Sequence, residues 1–242
     1  MILSRLHPIE EAVRSRPREI EWVMVDAGRR DRRIGELARL CRQSGVPIRI
    51  GDRAGLDRVA RGNQGAVARI AVRGYVPEEE ALAGERGRRL VLVLDGIEDP
   101  QNLGAVLRVA EGVGASVVVP ERGGAPLSDA VARSSAGAVE RVPIARAKNL
   151  RRFLGRIKED GFRVVGLDAS GTDFYRADLT GDLAIVLGGE GRGIRRLVRE
   201  GCDVVARLPM KGAVASLNVA TAAAAAAYEA LRQRDISAAS PD

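Results

Sequence analysis

Histidine is almost absent from this chain. His7 is the only one in 242 residues, so a Ser-His-Asp or Cys-His mechanism would have to be built around one imidazole in a basic segment near the N-terminus, and that class is set aside. Cysteine is equally scarce. Cys41 and Cys202 fall in different segments and neither has a Cys or His neighbour at metal-ligand spacing, which excludes a structural zinc and leaves two free thiols; no metal is expected. No apolar run approaches the length of a membrane span, and the opening MILSRLHPIEEAV carries charges where a signal peptide needs an unbroken apolar stretch. A cytoplasmic protein without a membrane partner is therefore expected. Neither GxGxxG nor GxxxxGK[ST] occurs, so the usual nucleotide loops are missing. Lysine is limited to Lys148, Lys158 and Lys211, which leaves arginine to carry the basic charge.

What is present is a 45% apolar composition, ample for a packed core, and a net charge of +7. The charge is unevenly placed. Residues 1–75 hold 16 arginines against 9 carboxylates, whereas residues 76–242 hold 23 basic and 23 acidic side chains. A basic lobe beside a neutral one points to a polyanionic partner, because phosphate contacts supply much of the affinity for nucleic acid. In the first lobe the segments 20–26, 46–50 and 65–72 are rich in β-branched residues, and 31–43 shows helical spacing, which predicts a small α/β domain over residues 1–75. Arg29, Arg30, Arg32 and Arg33 cluster just past a strand end. They read either as phosphate contacts or as a solvated helix start.

Residues 76–88, with Gly, Pro and a run of three glutamates, read as a linker. From residue 89 the α/β alternation continues: LVLVLDG (90–96) is the continuous apolar strand of a parallel sheet, followed by strands over 116–120, 138–144, 162–168, 183–187 and 203–208. On a helix from about Asn102, the residues Leu103, Val106, Leu107 and Ala110 form one apolar stripe and Arg108 lies off it, so packing does not require Arg108. Asn102 could cap that helix or orient a site. Strand 183–187 breaks into Gly188, Gly189, Gly191 and Gly193, around Glu190, before a helix from about Ile194. Such a corner exposes backbone amides to a ligand. A second corner follows strand 203–208, where Ser216 and Asn218 open a long helix; capping competes there with binding. A second domain over 89–235 and a disordered tail at 236–242 complete the reading.

Three stretches, LDGIEDPQNLGAVLRVAEGVGA (94–115), IVLGGEGRGI (185–194) and LPMKGAVASLNVATA (208–222), resemble in order and spacing the three motifs of the SpoU class of RNA 2′-O-ribose methyltransferases. The whole chain is similar to the branch that methylates a guanosine in 23S ribosomal RNA of the large subunit. The resemblance implies a mainly parallel α/β domain with a deep trefoil knot, S-adenosyl-L-methionine as cofactor, a homodimer formed through this domain, and an N-terminal RNA-binding domain. It assigns catalysis to Arg108, with Asn102, Glu190, Ser216 and Asn218 shaping the site. It also implies that the cofactor is held by Leu187, Gly188, Glu190, Gly191, Leu208, Met210, Ser216 and Leu217. A tRNA 2′-O-methyltransferase of the same class and a non-catalytic RNA-binding assembly factor remain as alternatives. Only an enzyme needs both the cofactor loops and Arg108.

Overall fold

The computed structural model of the chain describes residues 2–29, 31–71, 74–214 and 216–239, the side chains of 238 and 239 excepted. It falls into two compact units, Met1–Arg73 and Gly74–Asp242.

The first unit is a four-stranded mixed sheet in the order β1 (Ile2–Leu3), β4 (Ala66–Ile70), β2 (Ile20–Asp26), β3 (Ile48–Gly51). Strand β2 pairs antiparallel with β4 and parallel with β3. Helix α2 (Arg32–Gln43) buries Ile34, Leu37 and Cys41 along one stripe, and the Asp31 carboxylate caps it by accepting the Arg33 N–H at 2.9 Å. Two helices were not expected from the sequence: α1 (Leu6–Ser15) and α3 (Arg53–Val59). In α1 the proline Pro8 sits in the first turn, where its missing N–H has no intrahelical partner to lose.

The second unit is a six-stranded sheet in the order β10-β8-β9-β5-β6-β7, with every pairing parallel. The strands are β5 (Leu90–Asp95), β6 (Ser116–Pro120), β7 (Ile144–Ala147), β8 (Arg163–Asp173), β9 (Leu183–Gly188) and β10 (Val204–Arg207). Helices α4 (Glu78–Ala81), α5 (Pro100–Val113), α6 (Asp129–Ser134), α7 (Leu150–Glu159), α8 (Arg196–Arg199) and α9 (Val219–Ala239) connect and cover them. All six residues of β5 are buried. Val91 and Val93 join one cluster with Val186, with Phe153, Leu154 and Ile157 of α7 and with Val198 of α8. By the two-residue strand period, Leu90, Leu92 and Leu94 face the opposite side. Helices α5 and α9 pack against each other.

Several boundaries differ from the sequence reading, each for a local reason. Residues 76–88 are not a free linker. The Val76 N–H donates to the Ile144 carbonyl at 2.8 Å, Ala81 is buried in the main cluster, and the Asp182 carboxylate accepts the N–H groups of Gly87 and Arg89, both at 2.9 Å. The glutamate run is the first turn of α4. Segment 138–144 is a single 3-10 turn over Ala138–Glu140, and the strand begins only at Ile144. The helix expected from Ile194 is the four-residue α8. The last helix runs on to Ala239, through the start of the expected tail.

Because the six strands are parallel, their carboxyl ends share one edge. The chain builds β5, β6 and β7 to one side and then places β9, β8 and β10 on the other. The order therefore reverses between β5 and β9, which is where open α/β sheets bind ligands.

Candidate active site

The reversal point is closed by a turn over residues 189–193. The Gly189 N–H donates to the Asp95 carbonyl at 2.9 Å and the Gly193 N–H to the Gly189 carbonyl at 3.0 Å. A Cβ at Gly188 would collide with the backbone of Gly193 and Ile194, and one at Gly189 with the Gly96 carbonyl. These two glycines are therefore required by the close approach of the chain to itself, not by a ligand. Gly191 differs: its φ is 77° and nothing lies within 4 Å of a Cβ built there, so conformation alone demands glycine and its surface stays open.

Asp95 anchors the end of this turn. Its side chain is 0% exposed. Its carboxylate accepts the Arg195 backbone N–H at 2.8 Å and the Arg195 Nε at 2.7 Å, with Nη2 at 2.6 Å. The sequence reading passed over both residues. The available signal was a carboxylate closing an otherwise apolar buried strand, which must find a partner somewhere.

At the apex of the turn, Glu190 Oε1 accepts the Nδ2 groups of Asn102 and Asn218, each at 2.9 Å, and Asn218 Nδ2 also donates to Asn102 Oδ1 at 2.9 Å. Three predicted site residues, 28 to 116 positions apart, thus meet at one point. Asn102 does not cap α5, because the Asp99 carboxylate does so through the Gln101 N–H at 2.9 Å and Pro100 occupies the first turn. Asn218 has both roles: its Oδ1 accepts the Ala220 N–H at 2.9 Å at the start of α9.

Beside this cluster opens a cleft of about 690 Å3, within the range of small-molecule sites. All eight residues predicted to hold a cofactor line it: Leu187, Gly188, Glu190, Gly191, Leu208, Met210, Ser216 and Leu217. It opens because β8 and β10 pair at Val165 and Gly166 and then again only at Thr172 and Asp173, so residues 167–171 bulge out of register. The bulge contributes Asp168 to the wall, a residue the sequence reading missed. Hydrogen bonds from the Ser170 hydroxyl and N–H hold the Asp168 carboxyl below the usual carboxylate range against the opposing effect of burial, and the Arg199 guanidinium helps. On the far wall, no backbone hydrogen bond involves residues 208–214 or 216–217 among the described residues. Their N–H and C=O groups are free to meet a ligand. A smaller hollow of about 420 Å3, lined by Asp95, Asn102, Glu190, Arg192 and Arg195 among others, adjoins the cleft.

Arg108 is not brought to this point. The stripe of Leu103, Val106, Leu107 and Ala110 is buried as expected and Arg108 is exposed, but it lines neither hollow. Six residues along a helix from Asn102 correspond to about 9 Å and roughly 240° of rotation. In the first unit, Arg29 lies 3.4 Å from Asp31, Arg32 2.9 Å from Glu36 and Arg33 3.8 Å from Glu10, while Arg30 lies outside the described residues. Exposed pairs of this kind are worth at most about 1 kcal/mol and yield readily to a phosphate. Burial pushes the Cys41 and Cys202 thiols up to about 11, so neither is a ready nucleophile.

Residues 89–228 match the SpoU rRNA Methylase family, and residues 6–76 match the RNA 2′-O ribose methyltransferase substrate binding family. The chain is 40% identical over 235 residues to the 23S rRNA (guanosine-2′-O-)-methyltransferase RlmB of Pseudomonas syringae pv. tomato, covering 95% of this chain and 94% of the relative. Among solved structures it resembles the SpoU methyltransferase AviRb from Streptomyces viridochromogenes in complex with AdoMet, at TM-score 0.79 and 25% identity over 96% of this chain and 89% of that one. It also resembles an RNA 2′-O ribose methyltransferase, at TM-score 0.71 and 29% identity over 96% and 88%. The chain belongs to the SpoU rRNA methylase family.

Proposed function

We propose that this protein transfers a methyl group from S-adenosylmethionine to the ribose 2′-hydroxyl of a guanosine in 23S ribosomal RNA. One observation carries the reading: the Asn102–Glu190–Asn218 cluster stands at the mouth of a ligand-sized cleft walled by unpaired backbone. The donor set fits the cofactor. Free N–H and C=O groups at 208–214 and 216–217 suit an adenosine, Met210 and Leu217 supply apolar surface, and the Asp168 and Glu190 carboxylates complement a cation. The bound cofactor supplies an electrophilic methyl on a sulfonium.

The chain's own residues supply the rest. The two asparagines fix the Glu190 carboxylate, and with it the glycine turn that borders both hollows. The guanidinium charge of Arg108 has the role of stabilising the oxyanion that develops at the 2′-oxygen as the methyl leaves the sulfonium, and the hydroxyl proton passes to water. Its distance from the cluster within one chain is explained by a homodimer through the second unit, in which the solvent face of α5 meets a second copy. The small residues of α9, together with exposed Tyr228 and Ile236, support a close seam there. The reading includes a trefoil knot where the corners at 188–193 and 208–218 close on one cleft. It also gives the first unit, residues 1–75, the task of recruiting RNA, and the cytoplasm, where that RNA resides, as the place of action.

The test is to incubate the protein with S-adenosylmethionine and either 23S rRNA or bulk tRNA and then to identify methylated nucleosides by mass. A single 2′-O-methylguanosine in 23S rRNA is expected. Methylation of tRNA, or of a base, contradicts the reading.

A further inference from the structure

We propose that the carboxyl edge of the sheet carries a second, cationic groove, over β6 and β7, that holds the phosphodiester backbone of the substrate RNA beside the target nucleotide. This rests on the RNA methyltransferase reading above and adds a substrate contact that the reading does not contain.

A depression of about 530 Å3 lies between the loops that follow β6 and β7 and the starts of α7 and α8. Its walls carry Arg122, Lys148, Arg151, Arg195 and Arg196 against one carboxylate, Glu121. Two of these cations are compensated, Arg195 by Asp95 and Arg196 by Glu200 at 2.6 Å. Arg122, Lys148 and Arg151 are exposed, and their side chains have no hydrogen-bond or ion-pair partner among the described residues. Residues 76–242 have no net charge, so three uncompensated cations around one hollow do not follow from composition. Holding like charges together costs self-repulsion, which a bound polyanion relieves.

The start of α7 adds to the field. Asn149 accepts the Arg152 N–H at 3.0 Å, and the Phe153 N–H makes the first backbone bond, to the Asn149 carbonyl at 2.9 Å. The amides of Leu150 and Arg151 precede that bond and sit at the positive end of the helix dipole, at the groove wall.

Position selects the ligand. Arg195 lines both this groove and the hollow beside Asn102, and Glu190 and Arg192 line both that hollow and the cofactor cleft. The three depressions thus follow one another along the strand order β7-β6-β5-β9-β8-β10. With neighbouring strands about 4.8 Å apart, the ends of β6 and β9 are separated by roughly 10 Å. An extended RNA strand covers that in a few nucleotides. An acidic peptide would match the charge, but only a nucleic acid carries a row of anions fixed relative to the ribose that must reach Glu190.

The experiment measures RNA binding by full-length parent, Arg122→Ala, Lys148→Ala and the double variant over a salt series, with cofactor calorimetry and methyl transfer on the same samples. Both side chains lie outside the cofactor cleft, so unchanged cofactor affinity reports an intact fold. In the double variant the slope of log K against log salt should fall by roughly 1.4 to 1.8, at 0.7 to 0.9 for each phosphate no longer neutralised. KM for RNA should rise several-fold with kcat nearly constant, and Lys148→Arg should restore binding. If the double variant loses cofactor affinity, the single variants decide in the same way with half the slope change. Parent-like slope and KM with intact cofactor binding overturn the groove and leave the methyltransferase reading standing. A parent protein that methylates no RNA overturns that reading, and the groove with it.

Discussion

Asn218 joins a helix cap to the proposed site, so substitution there tests the two roles separately. Its Oδ1 caps α9 through the Ala220 N–H, while its Nδ2 donates to Glu190 and Asn102, all at 2.9 Å. Asn218→Ala removes both functions. Loss of a side-chain N-cap costs about 1 kcal/mol, and for a chain of this size each kcal/mol lowers Tm by roughly 2 to 4 °C. The donor to the Glu190 carboxylate is a charge-assisted bond of about 1.5 to 3 kcal/mol in general, but the group is exposed, which favours the lower end. At about 1.4 kcal/mol per factor of ten, kcat/KM should fall roughly 10-fold. Asn218→Ser retains a capping oxygen without the amide donors, so Tm should return to the parent value while activity stays low. Asn218→Asp also retains the cap but sets a second carboxylate against Glu190, and its activity should fall below that of the serine variant. Thermal unfolding by circular dichroism and methyl transfer on the same preparations give both readouts. Recovery of full activity in Asn218→Ser, or no Tm change in Asn218→Ala, refutes the division of roles.

Arg108→Ala should leave Tm and cofactor affinity at parent values and reduce methyl transfer by about 100- to 1000-fold, the usual cost of losing one preorganised charge at an oxyanion; activity within a few-fold of the parent contradicts its role. If the guanidinium acts across a homodimer, mixing Arg108→Ala with Glu190→Ala protein should regenerate about one intact site in four, whereas action within one chain predicts none. A chain beginning at Gly74 retains every residue of the cleft and should bind S-adenosylmethionine as the full protein does, which calorimetry checks. Acid should destabilise the second unit. Asp168 is held low by Ser170, and Asp182, although burial raises it, is held low on balance by Arg89 and the Gly87 and Arg89 amides. Their folded values lie below the unfolded value near ~4, so their contribution is complete above that value and is lost as pH falls through the folded values. A Tm series over pH 7 to ~3 should show the decline, and Asp168→Asn should flatten it.

The parallel sheet was legible because its strands are buried on both faces: LVLVLD and LAIVLG read as continuous apolar runs and appear as β5 and β9. Asn102, Glu190 and Asn218 were legible as motif positions, although only the fold shows that they bond to one another. Asp95 was legible only in part. A carboxylate closing an apolar strand signalled the need for a partner but not which one, because Arg195 lies 100 residues away. The bulge at 167–171 was also hidden, since nothing in VVGLDASGTD marks where pairing with a strand 33 or more residues later breaks off. The glutamates at 78–80 misled in the other direction, because a charged first turn conceals the inward packing of Val76, Ala81 and Leu82. The sequence did not show why position 188 is glycine: its missing Cβ admits the chain's own return at Gly193.

The most direct measurement compares methyl transfer to two otherwise identical 23S rRNA fragments, one with the mapped target guanosine and one with 2′-deoxyguanosine in its place. The cleft, the Glu190 cluster and Arg108 are assigned to chemistry at the 2′-oxygen, so transfer to the deoxy fragment should vanish while its binding affinity stays close to that of the unmodified RNA. Continued methylation of the deoxy fragment would show that the acceptor is elsewhere on the nucleotide and would contradict the account.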